Sequence, residues 1–389
     1  MVEIDLKQML SQQEYIRYSR QLLIPEVGLQ GQEIIKNSSV LIVGAGGLGS
    51  PVSLYLAGAG IGKIGIVDSD LVELSNLQRQ VIYETKNIGL PKVKSSKGRL
   101  SELNPEIEIN IYNESFTSLN AMRIAKDYDV IVDGTDNFPT RYLINDVSFF
   151  LKIPFVYGSV FRFEGQVSVF NEKSSPCYRC VFPEPPPSGL VPTCEENGVL
   201  GVLPGLIGML QATETIKILL GIGTTLAGKL LLYDALDMNF DSIKLRKNSS
   251  CVLCGPNPSV VDLIDYEQFC GDHSGDRTTS LQYELKEISP SELEMKLREK
   301  GNNILIDIRE PHELKISSIK NAHLIPIGQL ADRISEIKGY DEVILFCRTG
   351  SRTKRGAMIL KKLGIHNVKE LKGGINAWAK EIDSNIVVY

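Results

Sequence analysis

Seven cysteines and four histidines set the limits of what this chain can catalyse. Four of the cysteines form two hooks, Cys177-Tyr-Arg-Cys180 and Cys251-Val-Leu-Cys254. Two Cys-x-x-Cys pairs supply four thiolates, the closed tetrahedral shell of a structural Zn²⁺ with no open position for chemistry. A redox-active pair would instead open a helix in a thioredoxin-like unit. A fifth, Cys347, is followed by Arg348-Thr349-Gly350-Ser351-Arg352 between an apolar run and a helical pattern. Successive backbone amides and two arginines around such a turn form an anion nest that stabilises a thiolate or persulfide. A phosphatase would place arginine six residues after the cysteine, where Thr353 stands, so sulfur chemistry is the better reading. Cys194 lies in the Pro-rich stretch Pro183 to Asn197, too polar to bury it, and Glu195 and Glu196 do not favour its thiolate. Cys270 belongs to no motif and reads as a buried structural residue. All histidines lie beyond residue 272. The first 270 residues therefore hold no Ser-His-Asp triad, no Cys-His dyad and no histidine-ligated metal.

A second constellation is Gly44-Ala45-Gly46-Gly47-Leu48-Gly49, a G-x-G-x-x-G turn between an apolar β-branched run and a helical pattern. Its glycines allow a tight turn, the helix start offers amides to phosphate, and Asp68 at the end of the next strand is placed for a ribose hydroxyl. That motif alone leaves NAD, FAD and ATP open. The residues that follow narrow it. Ser75-Asn76-Leu77-Gln78-Arg79-Gln80 and then Lys92 supply amides and cations, and Asp133-Gly134-Thr135-Asp136-Asn137 supplies an acid for Mg²⁺. A triphosphate needs such a set, whereas hydride transfer needs a flat apolar pocket and a proton donor. The combination reads as a nucleotide-adenylating site.

These residues must be carried by particular elements. Val40–Val43, Lys63–Asp68, Ile107–Ile111, Val130–Val132, Phe155–Val156 and Val167–Phe170 read as strands with helices between them. Apolar β-branched strands alternating with helices imply an α/β fold, a Rossmann-like mostly parallel sheet covered on both faces. The stretch Pro183 to Asn197 is expected to be a mobile crossing segment. Residues 271–284, polar and Gly-bearing, read as a linker between a first domain, 1–270, and a small α/β domain, 285–389. The second domain begins with Ser289-Pro290-Ser291-Glu292, a capped helix start, and continues with strands at Ile304–Ile308 and Val343–Phe346 and helices at Ser351–Leu363 and Ile375–Glu381.

Length and composition agree with this division. The 389 residues exceed one compact core, and 43% hydrophobic with 23% charged residues is ordinary for a soluble protein. The net charge of −5 gives no footprint for nucleic acid or an anionic membrane. The acidic excess sits in residues 1–284, and residues 285–389 are net basic. Met1 to Ser11 is not a signal peptide, and the uncharged stretch Val40 to Gly62 is a strand, Gly turn and buried helix rather than a membrane span. An odd cysteine count with four in hooks fits a reducing, cytoplasmic setting.

About residues 10–270 resemble the ThiF/MoeB family, the bacterial relatives of ubiquitin-activating enzymes. The resemblance rests on Arg17-Tyr18-Ser19-Arg20-Gln21, the Gly44–Gly49 loop followed by Ser50, Asp68 to Gln80, Gly134 to Arg141, Arg162 to Phe170 and the cysteine hooks. It implies adenylation of the C-terminal glycine of a ubiquitin-fold sulfur carrier protein. By matching motif, Gly47, Asp68, Asn76, Arg79 and Lys92 bind ATP, Asp136 holds Mg²⁺ with Asn137 beside it, and Arg20 is supplied from the partner subunit of a homodimer. Cys194 matches a cysteine that attacks the adenylate or receives sulfur. Residues 285–389, through Leu305–Glu310, Asn321-Ala322-His323, Cys347–Arg352 and Gly373–Trp378, look like a rhodanese domain with Cys347 as persulfide carrier. Asp307 and Arg309 are expected to brace its loop, and His323 and His366 to be structural. Together the halves predict an adenylyltransferase and sulfurtransferase making a carrier thiocarboxylate, fed by a cysteine desulfurase or another sulfur donor. A Rossmann oxidoreductase and a non-catalytic carrier-binding scaffold are the competing classes.

Overall fold

A computed structural model describes residues 9–186, 198–271, 285–299 and 301–389. The chain divides into two compact units, Met1–Gly275 and Asp276–Tyr389. Cys194, much of the Pro-rich stretch and residues 272–284 of the expected linker lie outside the described residues. Gly271, also assigned to the linker, closes a helix, Tyr266–Gly271.

In the first unit, eight strands form one sheet among the described residues. They are β1 (Ser39–Val43), β2 (Lys63–Val67), β3 (Glu108–Tyr112), β4 (Val130–Asp133), β5 (Phe155–Phe161), β6 (Glu164–Phe170), β7 (Lys229–Asp234) and β8 (Asn239–Lys244), in the order β3-β2-β1-β4-β5-β6-β7-β8. From β3 to β5 every pairing is parallel. The side chains of β1 alternate between two cores. Val40 and Ile42 meet Val52 and Leu56 of helix Gly49–Ala59 and Val93 of helix Lys92–Leu103. Leu41 and Val43 meet Ile124 of helix Ala121–Ala125 and Tyr142 and Val147 of helix Phe138–Leu151. Burial on both faces explains why these strands read as continuous apolar runs.

Past β5 the sheet turns antiparallel through β6, β7 and β8. Every residue of β8 is exposed, so it carries no apolar pattern and owes its strand form to pairing with β7. Helix Val202–Leu220 is long and apolar enough to cross a membrane by length and composition. In this fold it lies against helix Gly49–Ala59 and β5, with Gln211 and Thr215 buried.

The second unit holds a five-stranded parallel sheet, β9 (Lys286–Ile288), β10 (Asn303–Asp307), β11 (His323–Leu324), β12 (Glu342–Phe346) and β13 (Val368–Leu371), in the order β11-β10-β12-β13-β9. Ser289 caps helix Pro290–Arg298 with its side chain on the Glu292 amide, and Glu292 returns the bond to the Ser289 amide. Ile304 and Ile306 point to one core, with Leu360 of helix Ser351–Lys362, and Leu305 points to the other, with Ile375 and Trp378 of helix Gly374–Glu381.

Candidate functional site

Strand order reverses at β1, which has β2 on one side and β4 on the other. The turns leaving β1 and β4 diverge there, opening the crevice in which doubly wound sheets hold ligands. Gly44 has φ +96° and lies against the turn leaving β4. A Cβ on it would stand 2.6 Å from the Gly134 carbonyl oxygen. The amide of Gly44 donates to the Val67 carbonyl and that of Gly134 to the Val43 carbonyl, so both turns are fixed to the strand ends. Gly46 and Gly47 follow, and Gly49 opens the helix. Asp68 stands beside the loop, one carboxylate oxygen accepting from the Ala45 amide at 2.8 Å and the other from the Asp70 amide at 2.8 Å. Burial raises its pKa against the opposing pull of Lys92. A carboxylate has about four acceptor positions, so a ribose hydroxyl still finds room.

The other predicted ligands of the nucleotide gather at this edge. Arg79 lies 3.6 Å from where a Gly47 Cβ would be and donates to the Ser75 carbonyl at 2.9 Å. Asn76 is buried and accepts from the Glu73 amide, which holds the short turn Leu74–Asn76 in place. Ser75 and Gln78 are exposed and Leu77 packs into the core. Lys92 opens its helix, nearly buried, with Nζ 2.7 Å from Asp70. Ser50 Oγ and Gln80 Oε1 are buried without a hydrogen-bond partner among the described residues. Orphaned polar atoms beside a phosphate-type loop fit a polar ligand. Asp136 and Asn137 are exposed at the exit of β4, and Asn137 caps helix Phe138–Leu151 by accepting from the Thr140 amide.

Beneath Asp136 lies a brace whose purpose the motifs do not announce. Asp133 is wholly buried, pairs with Arg141 at 2.9 Å and accepts from both the amide and the hydroxyl of Thr135. Gln211, from helix Val202–Leu220, donates to the Asp133 carbonyl at 2.7 Å. Arg20 is not at this edge of its own unit. Its neighbours Tyr18 and Gln21 are anchored at Gly60 and Ala59, the far end of helix Gly49–Ala59. Eleven residues of helix span about 16 Å, too far for an arginine side chain to return to the Gly loop.

The four hook cysteines converge. All four sulfurs lie within 4.8 Å of one another, with Cys177–Cys251 at 3.5 Å, Cys180–Cys254 at 3.3 Å and Cys177–Cys180 at 3.7 Å. Zn–S bonds of about 2.3 Å in a tetrahedron give sulfur–sulfur edges of about 3.8 Å, so the residues fit that ion. The hydrogen bond from Cys177 pulls Cys180 down to about 4, and the same bond with burial pushes Cys177 up. Between the first pair, Arg179 is buried and holds Asp146 through two 2.8 Å bonds, while Tyr266 donates to the same carboxylate. Tyr266 thereby ties the returning segment to helix Phe138–Leu151, and the second hook brings the same segment beside the first. Cys270 is half-buried, and burial pushes its thiol up to about 11.

In the second unit Cys347 follows β12 directly, buried, with Sγ accepting from the Gly350 amide at 3.1 Å where helix Ser351–Lys362 begins. Gly374, with φ +61°, packs on this loop. A Cβ there would lie 2.5 Å from the carbonyl oxygens of Cys347 and Arg348. The two expected arginines differ. Arg348 lies over the Tyr389 ring at 5.8 Å. Arg352 is held by both oxygens of Glu313 at 2.7 Å, a bidentate pair that compensates its charge. Burial pushes the Glu313 carboxyl up, but Arg352, the Glu310 amide and Tyr389 outweigh it and hold the carboxyl at about 2. Asp307 and Arg309, expected to brace this loop, pair with each other at the end of β10, and Arg309 also bonds to Ser317 and Tyr389.

The ThiF family model matches residues 18–253 and the rhodanese-like domain model residues 289–381. The adenylyltransferase and sulfurtransferase MOCS3 of Culex quinquefasciatus is 43% identical over 98% of this chain and 90% of its own length. The probable adenylyltransferase/sulfurtransferase MoeZ of Mycobacterium tuberculosis is 43% identical over 98% of this chain and 96% of its own length. The crystal structure of E. coli MccB with succinimide shares the fold, with a TM-score of 0.55 at 22% identity over 61% of this chain and 73% of that chain. The chain belongs to the ThiF family, as an adenylyltransferase and sulfurtransferase whose adenylation fold is followed by a rhodanese-like domain.

Proposed function

We propose that the first unit adenylates the C-terminal glycine of a ubiquitin-fold sulfur carrier protein and that Cys347 supplies the sulfur that converts it to a thiocarboxylate. The observation that carries this reading is one chain holding both a phosphate-type crevice at the β1/β4 reversal and a cysteine at the mouth of a helix. No general base is needed for the first step, because the attacking carboxylate is ionised at neutral pH. It attacks the α-phosphate of ATP, pyrophosphate leaves, and acyl-AMP remains. The work of the protein is then placement and charge compensation. Gly44, Gly46, Gly47 and Gly49 cradle the phosphates and Asp68 takes the ribose. Ser75, Asn76, Leu77, Gln78, Arg79 and Lys92 line the nucleotide. Asp136, with Asn137 beside it, would hold Mg²⁺, which offsets phosphate charge when bound. The Cys177, Cys180, Cys251 and Cys254 set would hold Zn²⁺ as a structural tie.

Arg20 is assigned to the nucleotide of a second copy in a homodimer, a reading supported by its anchorage at the far end of its own helix. In the second step the outer sulfur of a Cys347 persulfide attacks the acyl carbon and AMP leaves, giving an acyl disulfide. A second thiolate, assigned to Cys194, attacks the Cys347 sulfur and releases the thiocarboxylate. The protein disulfide left behind is reduced by an external dithiol. The sulfur enters from a cysteine desulfurase or another donor.

The test is to incubate the protein with ATP, a sulfur source and each of four carrier types: those serving molybdopterin, thiamin thiazole, cysteine and tRNA thiolation. The expected result is one carrier whose mass rises by the difference between sulfur and oxygen. If a diglycine-ended carrier that binds the protein triggers no exchange of pyrophosphate into ATP, the adenylation reading is wrong.

A further inference from the structure

The second unit contains a connected set of side chains that neither adenylation nor zinc binding uses, and it converges on Tyr389. The Tyr389 hydroxyl accepts from Arg309 Nη1 at 2.9 Å and donates to Glu313 Oε1 at 2.9 Å. Burial raises the pKa of this phenol, so it keeps the proton it donates. The same Glu313 carboxylate grips Arg352. The Tyr389 ring lies under Arg348, and its backbone is clipped by Asn376, whose side-chain amide donates to the Tyr389 carbonyl at 2.9 Å. The backbone amide of Asn376 in turn donates to the Arg348 carbonyl at 3.1 Å. One residue therefore touches, directly or through a single partner, both arginines that flank Cys347.

We propose that Tyr389 is a positioning residue for sulfur transfer: its ring seats Arg348 and its hydroxyl, through Glu313, orients Arg352, so that an anionic sulfur donor is presented to Cys347. This rests on Cys347 being the sulfur carrier. With thiosulfate, the Cys347 thiolate attacks the outer sulfur, the sulfur–sulfur bond of the donor breaks, and sulfite departs with the electron pair. Cyanide then removes the sulfane sulfur as thiocyanate and the thiolate returns. Arginines that are held in place recognise the sulfonate group before any bond changes, so losing their support raises KM more than it lowers kcat.

The experiment uses the full chain with thiosulfate and cyanide, comparing Tyr389→Ala, Tyr389→Phe and Cys347→Ser with the parent. Tyr389→Ala removes ring and hydroxyl and is expected to raise KM for thiosulfate about tenfold with kcat within about threefold. Tyr389→Phe keeps the ring and is expected to raise it about threefold. Fluorescence of Trp378, the single tryptophan and part of this unit's core, reports whether each variant is folded. Tyr389→Ala with KM within twofold of the parent, or with kcat reduced and KM unchanged, overturns the proposal. Where Tyr389→Ala does not fold, an unaltered KM in Tyr389→Phe overturns it instead. A dead Cys347→Ser beside an unaltered Tyr389→Ala removes this inference alone. A Cys347→Ser variant that still transfers sulfur removes the carrier assignment and this inference together.

Discussion

The turn after β1 and the turn after β12 are the same backbone device with opposite treatments of charge. Each leaves a buried parallel strand, crosses a tight Gly-bearing turn and enters a helix, so each directs amide groups at an anion. At the first, Arg79 is bonded to a carbonyl and Lys92 to a solvent-exposed carboxylate. Positive charge remains there for a polyphosphate. At the second, Arg352 is compensated by a buried carboxylate, and the Gly350 amide donates to the cysteine sulfur. That environment suits one sulfur anion and would not hold a triphosphate. Turn geometry selects an anion, and the carboxylates packed behind the turn select which one.

The strongest way to break this comparison is to disable each site separately, the first through the β4 turn that packs against Gly44. Asp136→Ala is expected to abolish pyrophosphate exchange while sulfur uptake by Cys347 persists, and Cys347→Ser to do the reverse. A variant that loses both activities while remaining folded would show the two centres to be one. Asp133 and Arg141 underlie the β4 turn at the first site. Breaking this buried pair with Arg141→Met should cost about 3–5 kcal/mol, read as an earlier unfolding of the first unit in calorimetry. An unaltered transition would mean that the brace is not structural.

Steric tests come next. Gly374→Ala puts a Cβ 2.5 Å from two carbonyl oxygens at a positive φ, which should destabilise the second unit by roughly 2–4 kcal/mol. Trp378 emission follows that unfolding, and a loss below about 0.5 kcal/mol would mean that the loop moves aside freely. The smallest effect concerns pH. Glu313 is held at about 2 against its ordinary 4.5, so its contribution to stability is complete above about 4.5 and disappears as the pH falls through about 2. In Glu313→Gln the acid limb of the Trp378 transition should flatten across that window. An unchanged limb would detach Glu313 from the arginine pair.

Several features were legible in the chain itself because they are local. The capping box at Ser289 spans four consecutive residues, and the Gly44–Gly49 turn is read from six. The strands β1, β2, β4, β10 and β12 each carry an apolar run, with polar residues confined to their ends, because the fold buries them on both faces. Spacing likewise marked the four hook cysteines, and the structure brings their sulfurs to tetrahedral distances. Of the antiparallel strands, Val167–Phe170 in β6 was legible as a strand but β7 and β8 were not; β8 is exposed along its length and becomes a strand only by hydrogen bonding to β7. Nor was the distance between Arg20 and the Gly loop of its own unit, because that depends on which end of a helix the Tyr18 turn packs against.

Residue type and short spacing alone therefore marked where chemistry could sit: a Gly turn whose amides could meet an anion, four thiols that could hold a metal, and a cysteine at a helix start. Tertiary structure alone decided charge, since Glu313 meets Arg352 across 39 residues and Gln211 meets Asp133 across 78. The physical reason is range. Backbone turns are settled by sterics within a few residues, whereas the electrostatics of a buried site depend on partners that only the folded chain brings within hydrogen-bonding distance.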